Sequence, residues 1–188
     1  MSSLTQDVGE KFCELCDWTH TVWSIQRTFQ DDPRTADIAA AGHGYLFHHL
    51  STICSEYTLL QMSKLHDPAK QQGRFNLTLH YVLEFGAWDP STEAQLRGVL
   101  TELEDLNQRI RGARNRMLAH NDLATILADT PLGDFPTGLD DKYFERLQTF
   151  ASIVHERTTG LPFQFAPFAR TDVFVLLDAL SESVAREA

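Results

Sequence analysis

The chain has 188 residues, 43% of them hydrophobic, and a formal net charge of −10 at pH 7. A chain of this length buries a core without disulfides or a metal and fits one domain, residues 1–188. So acidic a protein is not a general nucleic-acid coat, because phosphate binding rests on positive surface, and any contact with nucleic acid must come from a local basic patch.

The first helical pattern runs from about Leu4 to Phe29, with Val8, Phe12, Leu15, Trp18, Thr19, Val22, Trp23 and Ile25 at three- and four-residue spacing. Asp31-Asp32-Pro33 closes it. The second runs from about Thr35 to His66 and carries Ile38, Ala41, Tyr45, Leu46, Leu50, Ile53, Cys54, Tyr57, Leu60 and Leu65. So long and apolar a helix is expected at the centre of a bundle. Asp67-Pro68 ends it, and a polar loop follows from Ala69 to Phe75. Asn76 is predicted to cap a short helix through Phe85.

Asp89-Pro90 starts the next helix, which is predicted to reach Ala119 or slightly beyond, with Leu96, Val99, Leu103, Leu106, Ile110, Ala113 and Met117 as its apolar stripe. A loop with Pro131, Gly133, Pro136 and Gly138 precedes two more helices, about Asp140 to Thr158 and about Arg170 to Glu187. Between those two, Phe163, Phe165 and Phe168 lie around Pro162 and Pro167 and read as an extended strap or as an interface. No alternating run with hairpin turn signals stands out. The fold class is therefore all-α: an up-and-down helical bundle of four core helices plus a short helix, with a core of about residues 4–127 and a C-terminal helical hairpin of about residues 140–187.

No run of about eighteen apolar residues is present, so no transmembrane helix is expected. The polar, acidic start, Met1 to Asp7, lacks the basic and apolar stretches of a signal peptide, and the expected location is the cytoplasm. Three cysteines, Cys13, Cys16 and Cys54, do not make a disulfide framework.

The segment Arg109 to Asp122 concentrates the chemistry, with Arg109, Arg111, Arg114 and Arg116 close together and His120 beyond them. On an ideal helix, turning about 100° per residue, Arg114 falls ~60° to one side of the apolar stripe and His120 ~60° to the other. Both flank the packing seam, whereas Arg111 and Arg116 project further toward solvent. A histidine titrates near neutrality and exchanges protons; an arginine grips a phosphate with a forked pair of donors. Together they suit transesterification of an RNA phosphodiester without a metal or other cofactor, the arginine stabilising the charge added in the transition state. Asn115 can add a neutral hydrogen bond. The same residues also fit a solvated helix end, where cations complement the dipole. A second pair with the same spacing, Arg74 and His80, spans a loop and a helix start.

Arg114-Asn115-Arg116-Met117-Leu118-Ala119-His120 resembles the motif of HEPN domains: an arginine, a polar residue, and a histidine after four to six intervening residues. Two further stretches narrow the resemblance to the abortive-infection-associated (AbiU2-like) branch. They are Leu65-His66-Asp67-Pro68-Ala69-Lys70 with Gly73-Arg74 and Asn76-Leu77-Thr78-Leu79, and the motif itself through Asn121-Asp122. The resemblance covers about Thr35 to Leu127. It implies a four-helix-type bundle that forms a homodimer, with two motif copies facing each other across the seam, and a metal-independent RNase held in check by an antitoxin or a nucleotidyltransferase partner. Arg114 and His120 would be catalytic, Asn115 accessory, and Arg109, Arg111 and Arg116 phosphate-binding. Where some relatives carry a tyrosine two residues after the histidine, this chain has Asp122, so control by modification of that tyrosine is not expected.

Two other functions fit the same sequence. One is a non-catalytic HEPN module that binds RNA, a nucleotide or a protein. The other is a metal- or ligand-binding bundle, with Cys13, Cys16 and His20 on one helix face and His43, His48 or His49 on the next helix. Against the metal stands the reading of both cysteines as small buried hydrophobes. Trp18, Trp23, Phe47, Tyr57 and Phe85 are expected in an aromatic core. Glu93, Glu102, Glu104 and Asp105 are expected on a solvated helix face, since no Glu-x-x-His motif accompanies them.

Overall fold

The computed structural model describes residues 4–113 and 138–187, with the backbone alone for residues 43, 109–113 and 187. Among the described residues there are seven α-helices and one minimal hairpin. In chain order these are α1 (Gln6–Asp31), α2 (Arg34–Ile38), α3 (Gly44–Leu65), β1 (Lys70–Gln71), β2 (Arg74–Phe75), α4 (Leu79–Phe85), α5 (Pro90–Ala113), α6 (Leu139–Thr159) and α7 (Phe168–Glu187). They fold as two compact units, Met1–Cys16 with Leu59–Gln164, and Asp17–Thr58 with Phe165–Ala188.

The first unit is organised on α5, whose apolar stripe buries Leu96, Val99, Leu100 and Leu103. α6 packs against it and contributes Tyr143, Phe144, Leu147, Phe150, Ala151 and Val154 to the same core. Phe12 on α1 meets Phe150 edge-on, ring centroids 5.8 Å apart. α1 and α6 approach closely at Gly9, where an added Cβ would lie 2.7 Å from Thr158 Oγ1. Arg146 on α6 pairs with Glu102 on α5 at 2.9 Å, and Glu102 stays exposed on the solvated helix face expected for it.

Two of the helix starts are fixed by side-chain caps. Asp89 caps α5: its Oδ1 accepts from the amides of Ser91 and Thr92, each at 3.0 Å, and Pro90 follows at the first helical position. α4 is capped by Thr78, whose hydroxyl accepts from the Tyr81 amide at 3.2 Å. The predicted cap, Asn76, does other work. Its Nδ2 donates to the Pro68 carbonyl at 3.0 Å and its backbone amide to the Ala69 carbonyl at 2.9 Å, closing the loop that holds β1 and β2. That loop is a two-residue ladder, Lys70 opposite Phe75 and Gln71 opposite Arg74. It turns at Gln72 and Gly73, both at positive φ, +49° and +81°. Glycine at the second turn position makes this affordable, and a ladder so short leaves no alternation to read in the sequence.

α4 ends at Gly86, against which the Trp88 indole lies, its Nε1 donating to the Val82 carbonyl at 3.0 Å. An added Cβ at Gly86 would stand 2.0 Å from the indole. Gly86→Ala is therefore expected to displace Trp88 and destabilise the protein by about 1–3 kcal/mol, read as a lowered urea midpoint with an unchanged m-value.

In the second unit, Phe29 of α1, Ile38 of α2, Phe47 of α3, and Val173 and Leu177 of α7 form the core. Arg34 ties its periphery, bonding to Asp32 at 2.7 Å and also to Asp178. The single long second helix predicted from the sequence is broken. After α2 comes a π-type turn, Ala39–His43, in which Gly42 takes φ +110°, outside helical space. α3 is correspondingly less central than expected, and its Tyr45, Leu46 and Ile53 are exposed. The aromatic core is also narrower than expected: Phe47 is buried, whereas Trp18 and Tyr57 are exposed and share a hydrogen bond of 3.1 Å.

The phenylalanine-rich stretch before α7 divides between the units. In the first, the Phe163 carbonyl accepts from Gln148 Nε2 at 3.1 Å and Ser152 Oγ at 2.9 Å, a strap along α6. In the second, the Ala166 amide donates to Asp17 Oδ1 at 2.8 Å, and buried Phe165 stacks on the His20 imidazole at 4.5 Å. Burial holds the His20 pKa below the ordinary histidine value, against the opposing pull of Asp17. Between the lowered folded pKa and the ordinary value, the unfolded chain binds the extra proton, so stability rises with pH there and falls as pH drops. His20→Phe is expected to flatten that part of the stability-against-pH curve, measured by urea unfolding from pH 5 to 8.

Candidate functional site

The arginine-histidine motif enters from α5. Arg109 and Arg111 lie on the last turns of that helix. Arg114, Asn115, Arg116 and His120 lie outside the described residues, as does the predicted continuation of the helix to Ala119. What the structure describes is the platform that leads to them. Leu96 and Leu103 on α5 are fully buried and fix the rotation of the helix about its axis.

A cleft of about 500 Å³ opens beside the C-terminal half of α5, lined among the described residues by His66, Pro68, Ala69, His80, Glu84, Glu104, Asn107 and Gln108. Three chain segments meet here: the end of α3 with its Asp-Pro turn, α4, and α5. The two sequence stretches beginning at Leu65 and at Asn76 thus converge on the helix that carries Arg109 and Arg111. Glu104, Asn107 and Gln108 stand at positions i, i+3 and i+4, one face of α5.

The polar groups are held from both sides. His80 Nε2 stands 3.3 Å from Glu104 Oε1, joining α4 to α5. His66 Nε2 is 3.1 Å from the hydroxyl of Tyr143, which α6 buries completely. Burial pushes the Tyr143 phenol well above its ordinary pKa, so it remains protonated at neutral pH. Asn107 Oδ1 is buried and has no hydrogen-bond partner among the described residues. Glu84, on the outer turn of α4, is exposed.

Sequence reasoning singled out His80 only through its spacing from Arg74, and placed Glu104 on a solvated face. It missed Asn107 altogether. The available signal was a polar amide four residues after a core leucine, on the flank of the apolar stripe.

The cysteines sit in the first core. Cys13 is buried, and its thiol donates to the Ala151 carbonyl at 3.5 Å. Burial, with help from Glu10, pushes that thiol up to about 12, so it is protonated and a poor ligand near neutrality. Among the described residues, no three of the histidines, cysteines and carboxylates stand together as a set that could hold a metal ion. No helix among them is long and apolar enough to cross a membrane.

No curated protein and no solved structure matches the chain. A family model does: that of AbiU2, a HEPN family, matches residues 5–173. The match takes in both units in part, the whole cleft and the arginine-histidine motif. The chain therefore belongs to the AbiU2 family of HEPN proteins.

Proposed function

We propose that this protein is a metal-independent HEPN-type endoribonuclease, acting as a toxin or phage-defence effector, with Arg114 and His120 as its catalytic residues. The observation that carries the reading is the family match over residues 5–173, within which Arg114-Asn115-Arg116 through His120 keeps the HEPN spacing.

In this reading the 2′-oxygen of a ribose attacks the adjacent phosphorus, its proton passing to a base. The bond from phosphorus to the 5′-oxygen breaks, and that oxygen leaves with a proton, giving a 2′,3′-cyclic phosphate and a 5′-hydroxyl. His120 handles a proton, and Arg114 holds the phosphate and the charge gained in the transition state. Asn115 supports the phosphate, and Arg109, Arg111 and Arg116 supply local positive potential on an otherwise acidic chain. A homodimer brings two motifs to one seam. The exposed Tyr45, Leu46 and Ile53 on α3 give association an apolar surface to cover. An antitoxin is the expected partner, and a nucleotidyltransferase partner would have to modify a residue other than Asp122, which stands where some relatives carry a tyrosine.

The test is cleavage of a mixed RNA pool by the purified protein, with and without EDTA. The expected result is cyclic-phosphate ends in both conditions; loss of cleavage on chelation would remove the metal-independent mechanism.

A further inference from the structure

We infer that the cleft beside α5 is a nucleobase pocket selective for guanine, a specificity subsite that rests on the ribonuclease reading for its place in catalysis. Its size, about 500 Å³, lies within the range of small-ligand sites and accommodates one base. Its lining is rich in acceptors. Glu84 and Glu104 bring carboxylates, and Asn107 brings a buried Oδ1 with no partner among the described residues. A buried polar atom left unpaired costs about 1–3 kcal/mol, so a rotation of the Asn107 amide that brings it to a donating ligand is favoured on binding.

The pocket's charge disfavours phosphate as the occupant, because two glutamates contribute to its lining. It favours a neutral ligand with adjacent N–H donors. Among the four bases, guanine presents two donors side by side on its Watson–Crick edge, N1–H and the N2 amino group, which match one carboxylate. Adenine and cytosine present a ring acceptor beside their amino group, which a carboxylate repels. Uracil offers one donor between two carbonyls. Proteins read single-stranded RNA by hydrogen bonds to this edge combined with stacking on flat side chains. His66 and His80 contribute imidazole rings to the lining, and Pro68 and Ala69 apolar groups. The site's position fits the role: Asn107 and Gln108 precede Arg111 by about one turn of α5, so the pocket lies on the helix whose chain leads into the motif.

Guanosine, adenosine, cytidine and uridine, titrated separately into full-length protein and followed by the side-chain amide signals of Asn107 and Gln108, test the pocket directly. Guanosine is expected to shift those signals saturably, at least ten-fold more tightly than the other three. Glu84→Gln, at an exposed position, and Asn107→Ala should each weaken guanosine at least five-fold with an unchanged circular dichroism spectrum. Mapping of cut sites should place guanosine beside the scissile bond, a preference that Glu84→Gln relaxes. Equal response to all four nucleosides, or none to guanosine, overturns the pocket even where RNA is cleaved. Selective guanosine binding without cleavage upholds the pocket and removes the ribonuclease reading instead.

Discussion

His120→Ala is expected to lower RNA cleavage by about 10²–10⁴-fold, and Arg114→Ala by about 10²–10³-fold, with folding and oligomeric state unchanged. The two losses differ in character. Histidine removal takes away proton transfer, so the residual rate should lose the neutral-pH dependence of an imidazole. Arginine removal takes away a fixed charge in the transition state, and Arg114→Lys should rescue little, because an ammonium cannot reproduce the guanidinium fork. Arg109→Ala, Arg111→Ala and Arg116→Ala should act mainly on KM, with a weaker salt dependence of binding and little change in kcat. Size-exclusion chromatography with light scattering checks that each variant assembles as the wild type does. Wild-type cleavage by both His120→Ala and Arg114→Ala would falsify the assignment.

Tyr143→Ala is expected to destabilise the protein by about 3–5 kcal/mol, the range for emptying a large aromatic site in a core. For a chain of this size that is a fall in Tm of about 6–20 °C. Tyr143 is fully buried on α6, meets Phe144 edge-on at 5.4 Å, and reaches the His66 imidazole at 3.1 Å. Tyr143→Phe separates the two contributions. It keeps the ring and removes only the hydroxyl, and should cost about 1 kcal/mol. If the hydroxyl fixes the His66 ring at the cleft wall, Tyr143→Phe should also broaden the His66 ring signals in NMR spectra, an effect that a packing defect alone does not produce. Comparable losses in the two variants would assign the stability to the hydroxyl and not to the ring.

Helix positions were legible wherever apolar spacing and caps agreed. The pattern from Leu4 to Phe29 became Gln6–Asp31, that from Asp140 to Thr158 became Leu139–Thr159, and Asp89-Pro90 opened α5 as read. The face of α1 was read less well. Cys13 and Cys16 are buried in the core, as expected of small buried hydrophobes, whereas Leu15 and Trp18, placed on the apolar stripe, are exposed. Rotating the stripe by one position changes few spacings. The break at Gly42 escaped because glycine inside an apolar run carries no mark that separates tolerance from a true positive φ. The cap at Thr78 lost to Asn76 in the sequence because either side chain can accept from an orphan amide, and only the tertiary loop engages Asn76 elsewhere.

The candidate site was legible in pieces. His66-Asp67-Pro68 and Asn76-Leu77-Thr78-Leu79 carried the family resemblance, yet nothing in their spacing says that both border α5. That juxtaposition depends on the rotation of α5, set by Leu96 and Leu103, and on Tyr143 arriving from a helix some forty residues later in the chain. Glu104 lines the cleft with its Oε1 3.3 Å from His80 Nε2, a contact between helices that spacing along α5 alone does not show.

The two units are interleaved along the chain, each assembled from separated stretches. During synthesis, Phe29, Ile38 and Phe47 leave the ribosome long before Val173 and Leu177, the residues of α7 that complete their core. More than a hundred residues of translation thus pass with that apolar surface uncovered, at a cotranslational rate of about 5–20 residues per second. For several seconds the nascent chain presents a binding site for chaperones, and a chain truncated before α7 would keep it exposed for good.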